Sequence, residues 1–221
     1  IKDDILKEQI KVFRLALQIN SLNYLDYQED PEGVEKTIDR IRRNKEIFGR
    51  YRYFQDFLQD KMAYMYQQAN SKGKAFLTQY ELNDLKPNPQ MDIIDRLLAI
   101  TRKEDLTRVE RDMITKEDGV TTIENDLIDM KASIQLADFR LEAALETYKE
   151  MDSRTNWDDY GTFKPFYENF SECVYCRSVP DTLEDFNKGE LMERLLSMDY
   201  RSKADPQNSG RIFYEMGLAY Y

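Results

Sequence analysis

Cys173 and Cys176, the chain's only cysteines, form a single C-x-x-C. Tetrahedral zinc takes about four ligands, usually Cys or His, and this pair supplies two. A thioredoxin-type redox pair belongs at a helix N-terminus in a βαβ setting, and no alternation of strand and helix patterns flanks it. A structural role, stapling or packing a loop, is the stronger reading, and no metal is expected. Histidine is absent altogether. Its absence removes the commonest general base, the commonest transition-metal ligand and every Ser-His or Cys-His nucleophile. The sequence also lacks a Walker loop, a dinucleotide glycine fingerprint and a G-x-S-x-G elbow. The expectation is a non-enzymatic protein with no catalytic residue and no cofactor.

Three other constellations bear on binding. Asp158 and Asp159 adjoin Trp157 and Tyr160, and paired carboxyls with stacking aromatics are the chemistry of sugar cleavage. In a chain with 42 acidic residues such pairs arise by chance, so carbohydrate binding or processing stands as the alternative. Arg40, Arg42, Arg43, Lys45, Arg50 and Arg52 interleave with Phe48, Tyr51 and Tyr53, the mixture used for phosphates and bases by single-strand binders. A formal net charge of -10 repels phosphate backbones, which makes nucleic acid the weaker alternative and not an expected partner. The segment from Trp157 to Tyr175 is aromatic-rich, with Trp157, Tyr160, Phe163 and Tyr167 among its rings. Loops over a rigid scaffold often carry binding, and Trp and Tyr dominate interface hot spots. Binding a partner and capping the inside of the scaffold both remain open for it.

These residues need elements to hold them, and the composition specifies helices. Of 221 residues, 41% are hydrophobic and 33% charged, with only 8 Gly and 6 Pro, too few breakers for a strand-rich fold. No stretch approaches 18 consecutive apolar residues. From Asp3 to about Tyr24, Leu6, Ile10, Phe13 and Leu17 recur at spacings of three and four, widened by Ile5, Val12, Ala16 and Ile19; this predicts a helix with a broad buried face. Asp30-Pro31 reads as an N-cap and first-turn proline, leading through Val34, Ile38 and Ile41 to a basic end at Arg42-Arg43. Further helices are predicted over Glu46–Ala69, Ala75–Leu85, Met91–Thr101, Leu106–Thr115, Val120–Ala137 and Phe139–Met151, then Lys188–Lys203 and Ser209 to the end. The predicted fold is all-α, about ten helices in antiparallel hairpins. Its expected divisions are a repeat array over 1–151, an irregular aromatic loop or cap with the C-x-x-C over 152–186, and a C-terminal hairpin over 187–221.

A repeat signal accompanies these helices. Phe213, Met216, Gly217 and Tyr220 in FYEMGLAYY follow Asp205-Pro206. Met62-Ala63 and Tyr66 are followed by Ala75 and Pro87, while Ala132, Ala144 and Tyr148 keep a small-small-aromatic arrangement. These positions resemble the tetratricopeptide (TPR) pattern of large and small residues on paired helices with a closing proline. The resemblance covers about half of the chain and implies a TPR-like right-handed superhelix that binds a protein or peptide in its groove. It gives Ala63, Ala75, Gly217 and Tyr220 structural roles, with a neighbouring helix close to the backbone at Gly217, and makes Tyr66 and Tyr148 partner contacts beside the aromatic loop. The last third, from NFSECVYC to FYEMGLAYY, also resembles large exported bacterial TPR-like lipoproteins of unknown chemistry. That likeness implies an extracytoplasmic location and a lipid anchor upstream. Ile1-Lys2-Asp3-Asp4 resembles neither an initiator start nor a signal peptide, so any targeting signal is expected to lie upstream or to have been removed. The last helix is expected either to continue or to dock its apolar face on something else.

Overall fold

The computed structural model describes residues 2–151, 154–166 and 184–220. Within them the chain is all-α in character: α1 (Lys2–Ser21), α2 (Tyr24–Glu29), α3 (Pro31–Arg42), α4 (Lys45–Arg50), α5 (Tyr53–Gln68), α6 (Lys72–Gln79), α7 (Met91–Thr101), α8 (Arg108–Ile114), α9 (Glu124–Ala137), α10 (Leu141–Tyr148), α11 (Lys188–Ala204) and α12 (Ser209–Tyr220). Short 3-10 turns span Leu82–Leu85 and Arg154–Tyr160. Besides an isolated antiparallel bridge between Thr115 and Thr122, one antiparallel pair of short strands departs from helix. In it β1 (Thr162–Phe163) meets β2 (Phe186–Asn187), with Thr162 opposite Asn187 and Phe163 opposite Phe186.

Local chemistry fixes many of these boundaries. The Asp30 side chain accepts from the Gly33 N–H at 2.9 Å and Pro31 opens α3, satisfying a donor that the helix leaves unpaired. Thr107 with Glu110 and Asn187 with Glu190 form reciprocal capping boxes at α8 and α11. Asn70 takes the left-handed conformation after α5 (φ 58), and the Ser71 N–H returns to the Tyr66 carbonyl at 2.8 Å, closing the helix in a Schellman turn.

Contacts divide the chain into unit 1 (Ile1–Leu127) and unit 2 (Ile128–Tyr221), with the division inside α9. In unit 1, α5 packs against α6, α6 against α7, and α3 against both α2 and α8. Its core gathers Leu15, Ile19, Ile38, Phe54, Met62 and Tyr66 with others. In unit 2, α11 packs against α10 and α12 around Leu141, Leu191, Leu195, Met198, Ile212 and Met216.

Several expectations are corrected. The helix predicted over Glu46–Ala69 is two helices, α4 and α5, separated at Tyr51-Arg52. The first helix buries only the margin of the face expected: Ile19 is inside with Leu15, and Val12 and Ala16 pack against them, whereas the main stripe Leu6, Ile10, Phe13 and Leu17, with Ile5, is exposed. α1 carries apolar residues on two faces, and periodicity cannot tell which face is covered. Gly217 is exposed, and among the described residues nothing lies within 4 Å of where its Cβ would stand; no helix crosses closely there. The close approach occurs instead at Gly189, where a Cβ would come within 2.2 Å of the Trp157 ring.

Candidate binding groove

Unit 1 is pinned at one buried ammonium. Lys74 on α6 donates to Glu35 Oε1 on α3 at 2.7 Å, to Glu110 Oε1 on α8 at 2.6 Å and to the Tyr27 hydroxyl on α2 at 2.9 Å. Tyr66 on α5 donates to the same Glu35 oxygen at 3.3 Å, and Thr107 to the other. Five helices therefore meet at one charge. Burial alone would lower the lysine, but its hydrogen bonds to Glu110, Glu35 and Tyr27 outweigh burial and hold it well above the ordinary lysine value. Burial opposes ionisation of Glu110 in the same way, yet Lys74, the Thr107 N–H and Lys103 hold it below the usual carboxylate range. Burial pushes the Tyr66 hydroxyl well up, reinforced by the Glu35 charge. Such a cluster is inaccessible to a substrate and serves as a clamp.

Beside the clamp, unit 1 carries an open groove of about 1110 Å³, just above the roughly 300–1,000 Å³ of small-molecule pockets. Its floor is apolar, formed by Phe48, Leu58, Met62, Met113 and Ile123. Arg42 ties α3 to the floor and to α8, with a guanidinium nitrogen 3.9 Å from Met62 Sδ and another 3.8 Å from Asp112. The Gln59 amide donates to the Thr78 carbonyl at 2.5 Å, fixing α5 against α6. Lys116 pairs with Asp126 at 2.7 Å. The rim charges Lys45, Glu81 and Glu117 carry no ion pair among the described residues. Gln55 and Asn83 stand exposed at the same edge and can both donate to and accept from a peptide backbone.

The residues expected to bind do not gather here. Tyr66 and Tyr148 are 0% exposed and lie in the core, with no surface to offer a partner. Among the described residues the Tyr148 hydroxyl has no hydrogen-bond partner. Its ring packs on Trp157 with centroids 5.4 Å apart. Trp157 is itself only 3% exposed, seated on Gly189, so neither a sugar nor a partner meets its face. Asp158 accepts from the Asn187 amide at 2.8 Å, and Asp159 is exposed. Tyr160 is half-buried. Phe163 belongs to β1 by its backbone. Tyr167, Cys173 and Cys176 lie outside the described residues. Ala63 is buried and Ala75 half-buried at the α5–α6 pair, and Tyr220 donates to the Leu136 carbonyl at 3.1 Å.

In the basic stretch, Arg43 pairs with Asp39, Arg50 with Glu8 and Glu46, and Arg42 with Asp112. Phe48 is buried, and Tyr53 leans on Tyr51 and Phe54. Much of its charge is thus spent internally. Glu35, Lys74 and Glu110 belong to no catalytic or ligand-binding sequence motif. The signal for them was a charged residue inside an apolar stripe: Glu35 between Val34 and Ile38, and Glu110 between Val109 and Met113.

No helix among the described residues is long and apolar enough to cross a membrane. Comparison with protein-family models, with curated proteins and with solved structures finds no match to this chain.

Proposed function

We propose that this protein is a TPR-like, non-catalytic scaffold whose unit 1 groove takes an extended peptide segment of a partner protein. The groove carries this reading. It joins an apolar floor to a charged and amide-bearing rim, as suits a chain with apolar anchors and a polar backbone. The α5–α6 pair supports the TPR-like part, because Ala63 and Tyr66 are buried at the positions the pattern gives them. An extracytoplasmic setting rests on the resemblance of the last third and is tested by fractionating the native host.

The groove is tested by panning a random peptide display library on the chain and measuring selected peptides by fluorescence anisotropy. Leu82→Lys and Met113→Lys, at half-buried lining positions, should weaken binding at least tenfold with the circular dichroism spectrum unchanged. Failure to enrich any peptide, or binding insensitive to both variants, would overturn the reading.

A further inference from the structure

The first half of α1 stands without a core of its own. Among the described side chains from Asp3 to Lys11 none is buried, and Glu8 pairs with Arg50 on α4. An isolated helix this short is marginal in water. Yet α1 presents Leu6, Ile10, Phe13 and Leu17 to solvent, at 55%, 42%, 64% and 52% exposure. Their spacings of four, three and four residues draw one straight seam, the pattern that seats a second helix. Contiguous apolar exposure of this kind marks an interaction site.

The flanks of the seam say what fits it. At 100° per residue, Lys7 and Arg14 fall along one side, with Lys11 further round the helix and the single acid Asp3 at the amino end of that side, and the other side holds Gln9 and Asn20. All three basic residues are exposed and carry no ion pair among the described residues. We infer that the exposed seam of α1 docks an amphipathic helix of a partner protein, one that carries apolar residues at heptad spacing and Asp or Glu along one flank. A second copy of this chain is a poorer occupant. Antiparallel pairing of two seams sets Lys7 and Arg14 against the same residues, and parallel pairing sets Arg14 against uncharged Gln9. The net charge of -10 does not forbid an acidic partner, because at physiological salt the Debye length is about 8 Å and the local lysines and arginine dominate. None of the groove-lining residues lies on α1, so this surface is separate from the peptide groove.

The test uses two designed helical peptides with the same Leu and Ile at heptad positions, one flanked by Glu and one by Lys. Measured by fluorescence anisotropy, the Glu peptide should bind the chain at least tenfold more tightly and should increase hydrogen-exchange protection over residues 3–14. Lys7→Glu with Arg14→Glu, both on exposed positions, should reverse the preference. Phe13→Asp should abolish binding of either peptide. Equal binding of the two peptides, no binding of either, a preference unmoved by the charge reversal, or a dimer in sedimentation that Phe13→Asp dissolves would each overturn the proposal.

Discussion

Tyr66 and Tyr148 are buried to the same degree, but among the described residues only one of the two hydroxyls has a partner. Tyr66 donates to Glu35 at 3.3 Å, while the Tyr148 hydroxyl has no partner among the described residues. A buried hydrogen bond contributes about 1 kcal/mol, whereas a polar group left unmade costs its desolvation without return. Tyr66→Phe should therefore destabilise the protein by about 1 kcal/mol, and Tyr148→Phe should be neutral or stabilising, read from urea unfolding midpoints. The aromatic positions at 66 and 148 were legible in the sequence. Their burial was not, because the TPR likeness names a position on a helix and leaves open whether a neighbour covers it. Gly217 shows the same limit. A glycine inside a helix announces either a close approach or a tolerated cost of about 1 kcal/mol, and the approach was made at Gly189 instead.

Between helices, the decisive contact is the Lys74 clamp. Removing its cation leaves Glu35 and Glu110 buried with one charge too few, a change that typically costs about 3–5 kcal/mol. Lys74→Met should lower the stability of unit 1 by that order. Adding Glu35→Gln and Glu110→Gln should restore most of it, both measured by chemical denaturation. Elements with chemical punctuation are legible in the sequence: α7 matches its predicted span Met91–Thr101, and α11 starts at Lys188 behind its Asn187 cap. The break between α4 and α5 is not legible, because the apolar period runs through Tyr51-Arg52 and only Gly49 hints at a stop. The groove was equally hidden. Its floor joins Phe48, Leu58 and Met62 to Met113 and Ile123, some fifty residues further along the chain, and the same Leu, Met and Phe would serve as ordinary core.

For the molecule as a whole, the missing histidine shapes the response to pH. Glu110 is held below its ordinary value of 4.5, so its contribution is present above that value and is lost as pH falls through the depressed one. Lys74 is raised above its ordinary 10.5, so its contribution is intact below 10.5 and disappears only at higher pH. With no histidine to titrate between them, the unfolding midpoint should be flat from about pH 6 to 8 and fall below about pH 4.5. Glu110→Gln should reduce that acid slope. The packing of Trp157 against Gly189 gives such experiments a second voice. It is the chain's single tryptophan and it sits in unit 2, shielded from water. Indole emission is therefore a reporter native to that unit, and the clamp in unit 1 has no tryptophan to signal its state. Loss of helical ellipticity in acid without a red shift of the emission would locate the melting in residues 1–127, with no label attached.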